Sequence, residues 1–443
     1  MNKGNRRALT YLLIAADPGA GRTGVDGITR LQKMLYLLEK NYNIKQYMET
    51  DYDFKPYRID PWTYVFGLRP ALLKAERINK KTDERNFKVK DAYIKLAEKY
   101  SWPEKALVGE VPVTPNDFSN RTRLERFCNG VLSFQKNFVQ NEFEGDTVFS
   151  DGENTKPFAL LAPYFYAPDR EWLGVNRKLI QKSIEIAKGM EMPLFGVVFC
   201  PIDILHDKAF LEQVLIYVKD LDVSGFCIWI SGMDEHSLST TDIIAFAEIV
   251  KALSKINGGI PVINLYGGYL SAILRHIGLK SFSHGIGYGE DKEVEPVIGG
   301  LPSARFYIPP LHERFLFGEV WLLVNDFNSA RYYDEICQCK TCKEEIGKDF
   351  RNFRVKFLDM KPSSKAEPGS RAANRLYATG DAVRLSRLHF LKARDNEIKG
   401  VDKSTLDEIV DHLSKEHNKY SKLMGAPAIG YLKRWSGALK KIE

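Results

Sequence analysis

Long apolar runs are missing from this sequence of 443 residues. A membrane-spanning helix needs about eighteen or more consecutive apolar residues, and no such stretch occurs. The opening stretch MNKGNRRALTYLLIAADPGAGR begins with basic side chains, but its apolar run is short and no signal-peptide cleavage region follows it. We therefore expect a cytoplasmic protein with neither a membrane span nor a secretory signal.

Cysteine is also scarce, with six in the whole chain. Because thiols stay reduced in the cytoplasm, clustered cysteines there more often bind metal or carry out redox chemistry than form disulfides. Three cysteines are scattered singly, at Cys128, Cys200 and Cys227, and the other three crowd into EICQCKTCKEE, residues 335–345. The crowded group is therefore a candidate metal or redox site.

A phosphate-binding Walker loop and a strong charge imbalance are absent as well. DPGAGRTG, residues 17–24, is rich in glycine but lacks the GK[ST] ending, so a turn or helix lead-in is expected there. The net charge of +7 is mild for this length and permits a nucleic-acid partner without requiring one. Basic residues gather in the first hundred residues and in the C-terminal YLKRWSGALKKIE.

Residues 1–90 predict a small helical domain with a β element. In ITRLQKMLYLLEKNYNI the apolar residues Ile28, Leu31, Leu35 and Leu38 recur at helical spacing. YDFKPYRIDPWTYVFGLRPALLKAERI then predicts a turn and a second helix, and RNFKVK a strand. This order resembles the small winged-helix domains whose helix reads RLQKxLYLLE before F-x-PY, which implies DNA contact. A helical protein–protein module is the alternative.

The remainder of the chain predicts an α/β architecture. Residues 91–157 are interpreted as a helical linker region that ends in the loop-like DTVFSDGENTKP. From residue 158, apolar runs alternate with amphipathic stretches, as in LFGVVFC before KAFLEQVLIYVKDL, which predicts parallel βα units. Counting VWLLVN as the last of seven or eight strands, we predict a (β/α)₈ barrel (TIM barrel) over 158–335 rather than an open doubly wound sheet. A zinc-binding and C-terminal helical region over 336–443 follows it.

In such a barrel, functional residues collect at the carboxyl ends of the strands. The polar and aromatic residues predicted there are Tyr164, Tyr166, Asp203, Trp229, Asp234, Glu235, Tyr266, His284, Glu290, Tyr307 and His312. The aromatic rings could stack on a base or pack under loops. His284 and His312 could equally be structural, and Asp234 with Glu235 could simply begin a helix.

The cysteine cluster has the spacing of a metal site. C-x-C-x-x-C brings the thiolates of Cys337, Cys339 and Cys342 toward one ion, and zinc prefers four ligands in a tetrahedron. We predict His389 as the fourth ligand, ahead of His412 and His417. A full shell of protein ligands would make the zinc structural. Redox thiols without metal are the alternative.

The order of these features resembles the tRNA-guanine transglycosylase superfamily, a family of zinc-containing TIM barrels, over roughly residues 158–400. INLYGGYLSAILR is similar to the family's VQGG…LR segment, HGIGYGE to its GGLAVGE segment, and the Cys cluster with a later histidine to its zinc site. In that family an Asp attacks the ribose carbon, guanine leaves and a deazaguanine replaces it. The resemblance implies a guanine pocket whose residues here are Tyr266, Gly267, Gly268, Gly285, Ile286 and Tyr307.

The sequence also departs from the family pattern. The family's glutamine falls on Tyr266, and FYIPPLHER puts Tyr307 where the family has its Asp nucleophile. The family's DSGGFQ is missing, and APYFYAP takes its place in order. Covalent glycosyl transfer needs a positioned carboxylate. The candidate carboxylates from other strand ends are Asp203, Asp234, Glu235 and Glu290.

From these observations we predict a transglycosylase-like, nucleic-acid-binding protein that recognises or modifies a guanine-type base in tRNA or DNA. The expected partners are a nucleic acid and a guanine or deazaguanine base, with no membrane, and self-association is left open. Whether the chain is a glycosyl transferase is also left open. The alternative is a non-catalytic barrel that serves as a recognition or assembly platform in regulation or defence. A hydrolase of sugars that uses paired carboxylates is a third hypothesis.

Overall fold

The computed structural model describes residues 12–15, 57–61, 63–68, 74–78, 85–89, 91–102, 112–137, 157, 159–284, 290–295, 304–362 and 376–442. The predicted helix at residues 28–44, and with it most of the winged-helix prediction, lies outside them. So do Gly285 and Ile286 of the predicted base pocket.

The described strands and helices are numbered here in chain order. The strands are β1 (Leu12–Ala15), β2 (Tyr57–Asp60), β3 (Lys74–Ile78), β4 (Arg85–Val89), β5 (Leu160–Leu161), β6 (Leu194–Pro201), β7 (Gly225–Ser231), β8 (Val262–Asn264), β9 (Leu279–Phe282), β10 (Arg305–Ile308), β11 (Glu313–Leu316), β12 (Met360–Pro362) and β13 (Leu376–Ala378). The α-helices are α1 (Asp91–Lys99), α2 (Arg121–Lys136), α3 (Arg170–Gly189), α4 (Lys208–Val218), α5 (Thr240–Lys255), α6 (Tyr269–Ile273), α7 (Phe317–Ser329), α8 (Tyr333–Ile336), α9 (Lys340–Glu345), α10 (Arg351–Phe357), α11 (Gly380–Lys403), α12 (Leu406–Met424) and α13 (Gly430–Leu439).

The centre of the molecule is a parallel sheet of five strands in the order β5-β6-β7-β8-β9. Each neighbouring pair is parallel, and a helix from α3 to α6 lies between consecutive strands along the chain. The predicted parallel βα units are therefore confirmed. Within the described residues the sheet does not close into an eight-stranded barrel, since β10 pairs with β11 in an antiparallel hairpin.

The two longest strands explain why the apolar runs form this sheet. β6 and β7 are buried along almost their whole length, which is typical of parallel strands covered on both faces. Their close packing also requires a glycine, because a Cβ at Gly225 would lie 1.8 Å from the Phe195 ring. Val198, Phe226 and Ile228 belong to the core on one face of the sheet, and Val197 and Cys227 to the core on the other.

Two of the predicted elements were wrong. VWLLVN is part of helix α7, because Val320, Val324 and Phe327 share its buried side while Leu322 is 65 % exposed. That is helical periodicity, with Glu319 accepting from the backbone N–H of Leu316 at the start of the helix. The predicted second helix ending in KAERI contains strand β3 instead, which pairs with β4. The strand predicted in RNFKVK is confirmed as β4.

The helical region before the sheet packs directly against its first strand. The side chain of Gln135, at the end of α2, donates from Nε2 to the carbonyl of Leu161 and accepts from its N–H, both at 2.8 Å. Gln135 is fully buried, so no solvent replaces these bonds. One amide side chain thereby supplies a backbone-like pairing to the edge of β5.

No helix within the described ranges is long and apolar enough to cross a bilayer. The described helices instead pack against the sheet, against one another or against the β10–β11 hairpin.

Replacing Gln135 tests how much this pairing contributes to stability. Gln135→Leu leaves the N–H and C=O of Leu161 buried without partners, so we expect the free energy of unfolding to fall by about 3 kcal/mol. Urea denaturation of the full chain measures it. Gln181→Leu, on the exposed side of α3, is the control and should change stability by less than about 0.5 kcal/mol. Equal losses in the two variants would contradict this account of Gln135.

Candidate metal centre and the strand ends

The three clustered cysteines and His389 converge on one point. One ligand atom from each of Cys337, Cys339, Cys342 and His389 lies within 4.8 Å of all the others. Nδ1 of His389 is 3.7, 3.4 and 3.2 Å from the three sulfurs in chain order. Ordinary zinc–sulfur and zinc–nitrogen bonds in a tetrahedron separate S and N by roughly 3.5 Å. The prediction of His389 as the fourth residue of this group is confirmed.

Local structure explains how the cysteine loop forms. Cys339 is the N-terminal capping residue of α9, and its sulfur accepts from the backbone N–H of Cys342 at 3.4 Å. The sulfur of Cys337 accepts in the same way from the N–H of Cys339. Backbone N–H groups that point at sulfur favour the thiolate form, which is the form that binds metal. The four residues therefore form a compact possible metal site.

The other ring nitrogen of His389 orients the histidine. Nε2 donates to the backbone carbonyl of Tyr307 in β10, which leaves Nδ1 as the nitrogen with a lone pair facing the sulfurs. The His389 ring also stacks on Phe306, with centroids 4.0 Å apart. A ligand of the metal site is thus attached to the strand that carries Tyr307.

Metal analysis of cysteine variants tests the site. We expect about one tightly held divalent metal per chain in the wild type, and loss of that metal with a lower thermal midpoint in Cys339→Ser, because three ligands hold a structural ion more weakly. Elemental analysis and differential scanning calorimetry measure the two effects. Cys200→Ala, a buried thiol of β6, should keep its metal. A wild-type protein purified without metal, or Cys339→Ser with full metal content, would refute the assignment.

At the strand ends, the carboxylate of Glu235 is fully used in structural hydrogen bonds. Its buried carboxylate accepts the backbone N–H groups of Gly268 and Leu270 at 2.8 Å, that of Ser271 at 3.1 Å, and the Ser271 hydroxyl at 2.6 Å. Burial raises the pKa of this carboxyl. A Cβ at Gly268 would lie 2.9 Å from a carboxylate oxygen of Glu235, which accounts for the glycine. Glu235 therefore anchors the start of α6.

The carboxylate of Glu290 interacts with two arginines. It forms an ion pair with Arg394 of α11, and Nε of Arg314 lies 4.0 Å from its other oxygen. Burial acts to raise the pKa of Glu290, but the charges of Arg394 and Arg314 outweigh it and lower the pKa to about 2. Glu290 therefore remains ionised and paired.

The more open carboxylates at the strand ends are Asp203 and Asp234. Asp203 lies in the exposed turn after β6. Asp234, after β7, accepts from the backbone N–H of His236 at 3.0 Å and lies 3.4 Å from Nδ1 of that ring. Partial burial acts to raise the pKa of Asp234, but the hydrogen bonds from His236 outweigh it and lower that pKa.

Asp291 is a neighbouring carboxyl that the sequence interpretation missed. Its pKa is raised, first by desolvation and then by the negative charge of Asp234. Asp291 belongs to GEDKEVE, where acidic residues are so frequent that none stands out. The loop brings Asp291 near Asp234 only through the tertiary fold.

Several predicted aromatic residues do gather at the strand ends. Trp229 stacks on Phe199 with ring centroids 3.7 Å apart, and Tyr266 lies 4.9 Å from Trp229. The ammonium group of Lys292 is 4.9 Å from the Trp229 ring and from the Tyr266 ring, and it donates to the Tyr266 hydroxyl at 2.9 Å. Tyr164 also borders Phe199 and Trp229. We call Trp229, Phe199, Tyr266 and Lys292 the aromatic cluster. Lys292 was not predicted, since a single lysine in a charged loop carries no pattern.

The remaining predicted residues lie in different surroundings. Gly267 donates from its N–H to the carbonyl of Ser283, beside the aromatic cluster through Tyr266. Tyr307, in contrast, is buried against α11, where its hydroxyl donates to Glu397 at 2.7 Å and its ring packs on Phe390. Tyr307 therefore contacts α11, and Tyr266 the aromatic cluster.

The sequence matches no protein-family model and no curated protein.

Proposed function

We propose that the protein is a transglycosylase-like, nucleic-acid-binding protein that recognises or modifies a guanine-type base in tRNA or DNA. The observation that carries the proposal is the convergence of Cys337, Cys339 and Cys342 with His389, at the place along the chain where the resemblance puts a zinc site. The five parallel strands are compatible with part of a (β/α)₈ barrel, and we propose that further segments complete it.

Zinc is the metal that the donor set favours. Three thiolates and one imidazole form a soft, tetrahedral set, which is typical of structural zinc. Four protein ligands leave no open position for water or substrate, so zinc would supply stability to the cysteine loop and to β10. The chemistry of base exchange then depends on side chains at the strand ends.

Asp234 and Asp291 are the carboxyl groups best suited to glycosyl transfer. In the reaction implied by the resemblance, a carboxylate oxygen bonds to the ribose carbon, the bond from that carbon to the guanine nitrogen breaks, and the leaving base takes a proton. Asp234 has a lowered pKa, which suits the nucleophile, and Asp291 a raised one, which suits the proton donor. An incoming base reverses the step and releases Asp234.

Tyr266, the partly exposed ring of the aromatic cluster, supports binding of a base near these carboxyl groups, while the buried Trp229 and Phe199 stack on each other beneath it. Aromatic side chains contribute about 1–3 kcal/mol per stacked base in single-stranded nucleic-acid sites. Tyr266 and Lys292 form the polar side of the cluster, where a hydroxyl and an ammonium group can contact the edge of a base. Lys292 follows Asp291 directly in the sequence, so the base and the proposed proton donor would meet in one loop.

A non-catalytic platform is the second candidate. It is favoured because the side chains at three positions considered for catalysis are engaged in structural contacts. Glu235 is saturated by four donors, Glu290 is paired with arginine, and Tyr307 is buried on Glu397. If Asp234 and Asp291 also lack a catalytic role, the protein would bind nucleic acid without base exchange.

An exchange assay distinguishes the two candidates. The full chain is incubated with tRNA or duplex DNA and radiolabelled guanine, and incorporation into the nucleic acid is measured. We expect Asp234→Asn to lose at least about a hundredfold in rate with nucleic-acid binding retained, since the amide cannot form the covalent intermediate. Asp222→Asn is the matched control, because Asp222 is exposed and pairs with Lys188 before β7. Wild-type protein that binds tRNA or DNA tightly but exchanges no base would support the platform instead. Wild-type protein that binds neither tRNA nor DNA would refute the proposal.

The pH dependence of exchange tests the two proposed roles separately. Asp234 has to be ionised, so activity falls as pH drops through its lowered pKa. Asp291 has to be protonated, so activity falls as pH rises through its raised pKa. We expect a bell-shaped profile of kcat/KM, and a profile for Asp291→Asn that has lost its alkaline limb along with most of its rate. An alkaline limb that survives unchanged in Asp291→Asn would exclude Asp291 as the acid.

A further inference from the structure

A cavity of about 450 Å³ lies among α11, α12, the turn after β10 and residues 335–338 at the start of the cysteine loop, Cys337 included. Its wall includes His312, Glu397, His412 and Glu416, and the ring of Tyr269 closes one side. Its size is within the range of small-molecule sites in proteins. The aromatic cluster contributes nothing to its lining, so this cavity is separate from the proposed base site.

His312 presents an unused acceptor at this cavity. Its Nδ1 lies 2.6 Å from Oε1 of Glu397, and a carboxylate there fixes the proton on Nδ1. Nε2 is then the nitrogen with a free lone pair, and among the residues that the structure describes it has no hydrogen-bond partner, although His312 is only 3 % exposed. Burial lowers the pKa of His312, although the charge of Glu397 acts to raise it. The lowered pKa favours the neutral ring. A buried acceptor without a partner is costly unless something donates to it.

The position of His312 is held from several sides. Its ring stacks on Tyr269 with centroids 3.5 Å apart and nearly parallel planes. Its backbone has a φ of 51°, a left-handed conformation that is uncommon outside glycine and often marks functional sites. The same Glu397 oxygen also accepts the hydroxyl of Tyr307. The acceptor nitrogen is therefore preorganised rather than free to rotate away.

A second unused acceptor belongs to Glu416. Its Oε2 is buried and has no hydrogen-bond partner within the described ranges, and its Oε1 lies 3.9 Å from Nδ1 of His412. Burial raises the pKa of Glu416 to about 7, as expected for a carboxylate that lacks a cation. A bound positive charge would lower that pKa and satisfy the oxygen.

The charge of the lining selects the kind of ligand. Four glutamates line the cavity, and none of the described residues around it is a lysine or an arginine. Glu397 is neutralised by Arg394 and Glu335 by Lys419, which leaves Glu408 and Glu416 to face a ligand. The only described cluster whose ligand atoms converge for a metal ion is the Cys–His group, so a bare ion fits here less well than an organic cation.

We propose that this cavity binds a small organic cation rich in N–H donors, such as a guanidine or an amine, with one N–H donated to Nε2 of His312 and the positive charge against Glu416. Acceptors and negative charge are what the lining offers, and a ligand of this class supplies donors and positive charge. The proposal does not depend on base exchange, because it involves neither the strand-end carboxylates nor the aromatic cluster.

Calorimetric titration of the full chain with agmatine, which carries both a guanidine and an amine, tests the proposal. We expect saturable binding at one site per chain, and at least tenfold weaker binding in Glu416→Gln. Asp411→Asn is the matched control, since it removes the same charge from an exposed position of α12 outside the lining and should bind as the wild type does. Succinate, a dianion of similar size, should not bind.

A second measurement is independent of any variant. In the wild type labelled with ¹⁵N-histidine, the Nε2 resonance of His312 should shift on agmatine binding as the lone pair accepts a hydrogen bond. Absence of saturable agmatine binding would overturn the proposal. Equal weakening in Glu416→Gln and Asp411→Asn, or binding that leaves the His312 resonance unchanged, would also overturn it, because each indicates non-specific surface attraction.

Discussion

The two ring nitrogens of His389 make the contact on which the rest of the site depends. Nδ1 faces the three sulfurs, and Nε2 donates to the carbonyl of Tyr307 in β10. One side chain of α11 thereby joins the cysteine loop to the strand after the parallel sheet. Since a ligand histidine is held by its outer hydrogen bond as well as by the metal, loosening either end would release the other.

The consequences of this contact extend along α11. The helix that carries His389 also carries Arg394 and Glu397, which pair with Glu290 and with Tyr307 and His312. Glu290 belongs to the loop that holds Asp291 and Lys292. The Cys–His cluster can therefore position the strand-end loop through helix α11. This physical link connects the confirmed cluster to the proposed function.

The sequence predicted the features that depend on local pattern. The parallel βα units followed from apolar runs alternating with amphipathic stretches, and the possible metal site followed from C-x-C-x-x-C with a histidine on a later helix. The strand prediction for VWLLVN was wrong because six apolar-rich residues fit a strand or a buried helix equally well. Only the packing of Val320 and Val324 distinguishes the two. The roles of Asp291, Lys292 and the His312–Glu397 pair were not predictable, since each arises from residues brought together by the fold. The partners of Glu397 lie 85 and 90 positions away from it in the chain.

A crystal structure of the full chain grown with guanine tests the central claim most directly. The account predicts one tetrahedral ion on Cys337, Cys339, Cys342 and His389, and electron density for the base beside Tyr266, within reach of Asp234 and Asp291. An ion with that coordination but no base at the strand ends would contradict the transglycosylase-like function and leave the metal site intact. A base bound elsewhere, with Asp234 and Asp291 remote from it, would contradict the proposed catalytic roles.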